Sequence, residues 1–132
     1  MKHLVCYDDR RKVLYAQIAG EISPEDYAEI TSEMMSYPPE KRSAIVIDIS
    51  GMKMPKWDRE TRKSMVQTVP TLSDTRVALI GAQPEVRLIS KVFISIAAKR
   101  AEINSIQPQE TRFCRTEEEA LGWLRSEGAD EA

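Results

Sequence analysis

Apolar positions along this chain fall into two rhythms, and the alternation between them sets out the architecture. Ala44 to Ile49 is a short β-branched run interrupted only by Asp48, the pattern of a strand buried on both faces of a parallel sheet. Thr75 to Ile80 repeats it, and about Glu110 to Cys114 gives a further strand. Ahead of these, His3 to Tyr7 and Lys12 to Ala19 are joined by the polar turn Asp8-Asp9-Arg10-Arg11 and predict an antiparallel hairpin. Val13, Tyr15, Gln17 and Ala19 alternate against Leu14, Ala16 and Ile18, as expected near a sheet edge.

Helical spacing fills the gaps. Ser23-Pro24-Glu25-Asp26 places an N-cap serine before a proline at the first helical position, with Tyr27, Ile30 and Met34 one turn apart and Pro38-Pro39 as the stop. A second helix runs from about Pro55 or Asp58 to Thr68 with a thin stripe of Trp57, Met65 and Val69. A third, from Glu85 to about Arg100, carries Val86, Leu88, Ile89, Val92, Phe93, Ile96 and Ala97 on one broad face, which leaves Ile94 off it as either an isolated exposed residue or a homodimer contact. Thr116 opens the fourth helix, with Glu119 completing a capping box, an apolar side of Ala120, Leu121, Trp123 and Leu124, and Gly128 as the stop. The order is ββαβαβαβα. It predicts an α/β protein with a mostly parallel open sheet of about five strands, four helices and the first strand antiparallel at an edge.

Composition narrows the class. A chain of 132 residues, 42% hydrophobic and 30% charged, suits a single domain, here placed at 1–127 with 128–132 as a short acidic tail. The formal charge of −2 offers no general attraction to nucleic acid or to an anionic membrane. No apolar run approaches the roughly 18 residues of a membrane span, and the start of the chain lacks a signal-peptide core, so a cytoplasmic protein is expected. Cys6 and Cys114 are far apart, and with one histidine they make a poor zinc site; no metal and no cofactor are expected.

Candidate chemistry gathers after the Ala44–Ile49 run. Ser50-Gly51 reads as a turn at the carboxyl end of a central strand, where open α/β sheets keep their sites. Asp48 is either an acid–base group or a carboxylate that hydrogen-bonds the backbone of that turn, the second being preferred. Ser50 lacks a nucleophile elbow, and His3, on the first strand, has no reason to reach it. Cys114 precedes a helix start that favours a thiolate, but three following glutamates oppose it, so a small strand residue is preferred. Met52, Met54 and Trp57 are either core residues folded over the sheet or an adaptable apolar contact. Residues 53–63 hold five basic and two acidic side chains, and Lys56, Arg59 and Arg62 among them are either a solvated face or a surface for an anionic group. Gly81-Ala82-Gln83-Pro84 repeats the strand-turn pattern and is expected beside the Ser50 turn.

The hairpin, the Ser23-Pro24-Glu25-Asp26-Tyr27 helix start, the strand Ile45-Val46-Ile47-Asp48-Ile49-Ser50 and the strand-turn Arg76-Val77-Ala78-Leu79-Ile80-Gly81 together resemble the STAS family, named for sulphate transporters and anti-sigma-factor antagonists. The closing Thr116 to Leu124 segment resembles its stand-alone, SpoIIAA-like branch, which is similar to lipid-binding CRAL-TRIO domains. In anti-sigma antagonists a serine in an Asp-Ser-Ser-Gly-like turn opens the second helix and is phosphorylated. The matching segment here, Met54 to Thr61, has no serine beside its aspartate, and Ser50 does not inherit that role. The resemblance implies a non-enzymatic regulatory or protein-interaction module using the loop and helix start at about 50–62. The alternative is a binder of a small lipophilic or anionic ligand in a pocket at the strand C-terminal ends. The expected binding residues for either are Ser50, Met52, Met54, Lys56, Trp57, Arg59, Arg62, Gly81 and Gln83, with no catalytic residue.

Overall fold

The computed structural model describes residues 2–53, 56–67, 75–106 and 109–126. The elements are β1 (Lys2–Asp8), β2 (Val13–Glu21), α1 (Pro24–Met35), β3 (Ala44–Lys53), α2 (Arg59–Gln67), β4 (Arg76–Ile80), α3 (Pro84–Ile103), β5 (Glu110–Cys114) and α4 (Glu117–Arg125), with a short 3₁₀ turn at Pro39–Lys41. The strands form one sheet in sequence order, with β1 antiparallel to β2 and every other pair parallel. The α/β architecture and the antiparallel edge strand agree with the sequence pattern. Met54, Pro55, Gly128 and the acidic tail lie outside the described residues.

Consecutive strand order decides where the helices go. Each crossover steps the same way across the sheet, so the right-handed rule puts α1, α2 and α3 on one face. The core divides accordingly. Leu14, Ile18, Ile45, Ile49, Val77 and Leu79 point to that face and pack with Ile30 of α1 and Val86 of α3. The alternating residues Val13, Val46, Ala78 and Ile80 point the other way, where Cys114 of β5 and Ala120 of α4 meet them. The odd and even positions of β3 and β4 therefore feed two cores, as a period of two requires.

Local chemistry sets the element ends. Asp8 Oδ1 accepts the N–H groups of Arg10 and Arg11 at 3.0 and 3.1 Å, and Lys12 takes a left-handed φ of 61°, closing the hairpin. Ser23 Oγ accepts the Asp26 N–H while Asp26 returns a bond to the Ser23 N–H, a complete capping box. Asp58 Oδ1 accepts the Thr61 N–H at 2.7 Å, starting α2. At α4 the box is displaced by one residue: Thr116 Oγ1 accepts the Glu119 N–H, but Glu119 takes the N–H of Arg115.

Two expectations need correction. Ser50-Gly51 is not a turn, since β3 runs on to Lys53, which pairs with Glu21 at the end of β2, Gly51 lying opposite Ala19 after a register shift between Gln17 and Ala19. The shorter β4 leaves the sheet first, at Gly81. The face of α3 is also rotated from the expected one. Val86, Ala97 and Ala101 are buried and Ile94 packs on the core, whereas Leu88 and Val92 are exposed. The apolar side chains of this helix occupy two stripes, an inner one with Val86, Ile94 and Ala97 and an outer one with Leu88 and Val92.

Candidate functional site

Where β4 departs, β3 continues, and the divergence defines a small polar corner. Gly81 has φ 71°, and a Cβ there would stand 2.6 Å from that of Ser50, so only glycine fits. Asp48 Oδ1 accepts the backbone N–H of Ser50 at 3.0 Å and its hydroxyl at 2.6 Å. The Gln83 amide donates to the Ser50 carbonyl at 3.4 Å, and the Gly81 N–H to the Cys114 carbonyl at 3.1 Å. Asp48 thus satisfies the local backbone, the preferred reading of its position. Gly81 and Gln83 border a shallow depression with Arg87, Phe113, Cys114, Arg115 and Glu119, in which the Arg87 guanidinium stands 4.7 Å over the Phe113 ring. Burial, followed by the charge of Glu119, pushes the Cys114 thiol up, away from nucleophilic thiolate behaviour.

Trp57 turns inward. Its indole N–H donates to the Ile22 carbonyl at 3.0 Å, and its ring lies nearly parallel to Phe93 at 6.4 Å, with Tyr27 edge-on to the same Phe93 at 6.2 Å. Met52 joins the same core. Both residues are therefore core side chains, and Met54 lies outside the described residues. Burial raises the Tyr27 hydroxyl, keeping it neutral within this cluster.

The basic residues separate from one another. Lys56 and Trp57 border a polar recess with Glu21, Ser23, Glu25, Asp58 and Thr61. Arg59 is exposed at the start of α2. Arg62 instead borders an open apolar groove of about 580 Å³ against Pro84, Glu85, Leu88, Ile89, Val92 and Phe93 of α3. The expected binding residues are consequently divided between the Ser50–Gln83 corner, the interior and the two sides of α2, rather than gathered in one pocket.

Sequence reasoning missed three features. Leu88 and Val92, assigned to the core, are 69% and 51% exposed along the groove. A cavity of about 180 Å³ lies between the sheet and helices α1 and α3, bounded by Tyr27, Met34, Ile47, Phe93, Ile94 and Thr111 among others. It reaches the beginning of β5, so the apolar space sits under the helices rather than at the strand C-terminal ends. His3 Nε2 lies 2.8 Å from Glu33 Oε1, with Glu29 close by. The carboxylate pair one turn apart was visible in the sequence; its meeting with a histidine about thirty positions earlier was not.

A five-stranded mixed sheet with three helices on one face and a closing helix on the other defines a particular class of α/β domain. The fold is that of SpoIIAA-like, or STAS-like, domains. A crystal structure of an uncharacterised DUF3478-family protein from Shewanella loihica PV-4, described as having a SpoIIAA-like fold, matches with a TM-score of 0.58 and 19% identity over 92% of this chain and 93% of that one. No protein-family model matches the sequence, and no curated protein does. Among the described residues no helix is long and apolar enough to cross a membrane.

Proposed function

We propose that residues 1–127 form a non-enzymatic regulatory module that binds a partner protein across α2 and the first half of α3. The observation that carries this reading is the exposed pair Leu88 and Val92 beside Arg62. An exposed apolar strip on a helix, bordered by Arg62 and by Glu85, suits an amphipathic segment that carries charge at its flanks. Arg62 supplies positive charge at the strip, with Lys56 and Arg59 further off at the start of α2, while Ser50, Gly81 and Gln83 hold the corner before α3 in shape. The STAS-like fold is compatible with such a role. A hydrolytic reading finds little support: the sole histidine, His3, is turned to Glu33 beside α1, whereas the Asp48 carboxylate is engaged with Ser50 on a different strand.

The test is affinity capture followed by cross-linking mass spectrometry, comparing the wild type with the Leu88→Asp and Arg62→Glu variants. Both side chains are exposed, so folding is expected to change by no more than about 0.5 kcal/mol. A partner that cross-links to α2 and α3 in the wild type and loses about 2 kcal/mol or more of binding in Leu88→Asp agrees with an anchor position. Equal recovery by all three proteins would remove this surface from the function. A second reading rests on the cavity of about 180 Å³, which has room for a small apolar molecule. Native mass spectrometry of freshly purified protein that finds only the bare polypeptide mass counts against it.

A further inference from the structure

Helix α1 carries four carboxylates, Glu25, Asp26, Glu29 and Glu33, and no lysine or arginine. Glu25 and Asp26 stand in the first turn, where the helix dipole favours them. Glu29 and Glu33 do not share that advantage. They are like charges one turn apart, a repulsive spacing, and Glu33 lies in the last turn, where the dipole disfavours a negative charge.

Both turn toward one imidazole. His3 sits on the edge strand β1, opposite Ile18 of β2, and its Nε2 approaches Glu33 Oε1 to 2.8 Å. One donor atom from each of His3, Glu29 and Glu33 falls within 4.8 Å of the others. A protonated imidazole offers one positive charge to two carboxylates, which leaves the cluster net negative. An ion pair alone needs only Glu33, and accounts for neither the position of Glu29 nor its cost.

We propose that His3, Glu29 and Glu33 bind a first-row divalent cation of borderline hardness, with Zn²⁺ as the working probe. One imidazole nitrogen and two carboxylate oxygens form a donor set suited to zinc or cobalt, whereas Mg²⁺ prefers oxygen ligands and retained water. A tetrahedral ion with bonds of about 2.0–2.1 Å places its donors roughly 3.3 Å apart. The His3–Glu33 pair stands at 2.8 Å and every donor pair lies within 4.8 Å, so side-chain rotations suffice to complete the set. The His3 side chain is only 15% exposed and is held by its surroundings, while the 42% exposed Glu33 leaves a path for the ion. Three protein ligands leave a coordination position for water. The bound ion would tie β1 to α1, the helix whose Tyr27, Ile30, Thr31 and Met34 border the cavity.

The experiment uses the untagged full chain, titrated with ZnCl₂ by calorimetry, with thermal melting and a Co²⁺ visible spectrum as independent readouts. One saturable Zn²⁺ site per chain, a raised Tm and cobalt d–d bands are expected, with no equivalent response to Mg²⁺. Glu29→Gln and His3→Ala should each weaken Zn²⁺ binding by at least the roughly 10- to 100-fold that even outer-shell losses cost. Should His3→Ala fold poorly, Glu29→Gln decides, because that side chain is exposed and every Tm shift is referred to the same variant without metal. Absence of saturable binding, unchanged Zn²⁺ affinity in Glu29→Gln, or an equal response to Mg²⁺ would overturn the site.

Discussion

On one face of the sheet a single helix, α4, lies close against β3, β4 and β5; on the other, α1 and α3 ride on large side chains and leave a cavity beneath them. The difference begins with residue size. Ala120 of α4 has no exposed surface and meets Ala78 and Val46, which have none either, so backbone and sheet approach closely. Across the sheet, Tyr27, Met34, Phe93 and Ile94 hold the helices away and do not fill the space between them. The α4 ends are tied down as well. Thr116 caps its start, and Arg76 donates to the carbonyls of Trp123 in its last turn and of Ser126 just after it, at 3.2 and 2.7 Å, while lying over the Trp123 ring. Close packing makes a scaffold, and the loosely filled face with an exposed apolar strip is where binding has room to evolve.

One substitution made on both faces gives the sharpest test. Ala120→Leu should cost about 1–3 kcal/mol by overpacking. Ala97→Leu, which points into the cavity, should instead stabilise by about 0.5–2 kcal/mol. Urea denaturation of the two variants measures both, and equal losses would erase the distinction between the faces.

A smaller effect is expected at the helix starts. Thr116→Ala should cost about 1 kcal/mol as a lost cap. Gln83, which precedes α3 in an extended conformation but makes no capping bond, should change stability by no more than a few tenths of a kcal/mol as Gln83→Ser, because the new cap is offset by loss of the amide bond to the Ser50 carbonyl. Thermal melts of the pair report whether the anchored and unanchored helices differ as described.

The smallest effect is a pH dependence confined to one face. The Asp26 carboxyl is lowered by its bonds with the Ser23 backbone and hydroxyl, and that of Asp58 by bonds with the Thr61 side chain and backbone. A carboxyl lowered in the folded state contributes stability that is complete above its unfolded value, near pH 4, and is lost as pH falls through the folded value. Hydrogen exchange should therefore show α1 and α2 loosening before α4 on acidification, since the cap of α4 is a threonine. Asp26→Asn and Asp58→Asn should flatten that response. A uniform loosening of all three helices would argue against it.

Much of the fold was legible because its signals are local. Ser23-Pro24, Asp8-Asp9-Arg10-Arg11 and the β-branched runs act through a few neighbouring residues, and the STAS-like resemblance followed from them. The site was harder to read for a physical reason. On α3 the inward Val86, Phe93, Ile94 and Ala97 share the helix with the exposed Leu88 and Val92, so apolar residues on two sides left no single face to read. The reach of β3 past Ser50 depended on the length of β2, and the inward turn of Trp57 on a carbonyl at Ile22, neither of which periodicity records.

The consecutive strand order also carries a history of assembly. Each strand pairs with its immediate predecessor, so an emerging chain can extend the sheet without waiting for a distant partner. Only α4 comes after its whole docking surface is built. Until α4 leaves the ribosome, Val46, Ala78 and Ile80 face solvent on a finished sheet. Nascent chains halted before Thr116 are accordingly the species most exposed to chaperones and to aggregation.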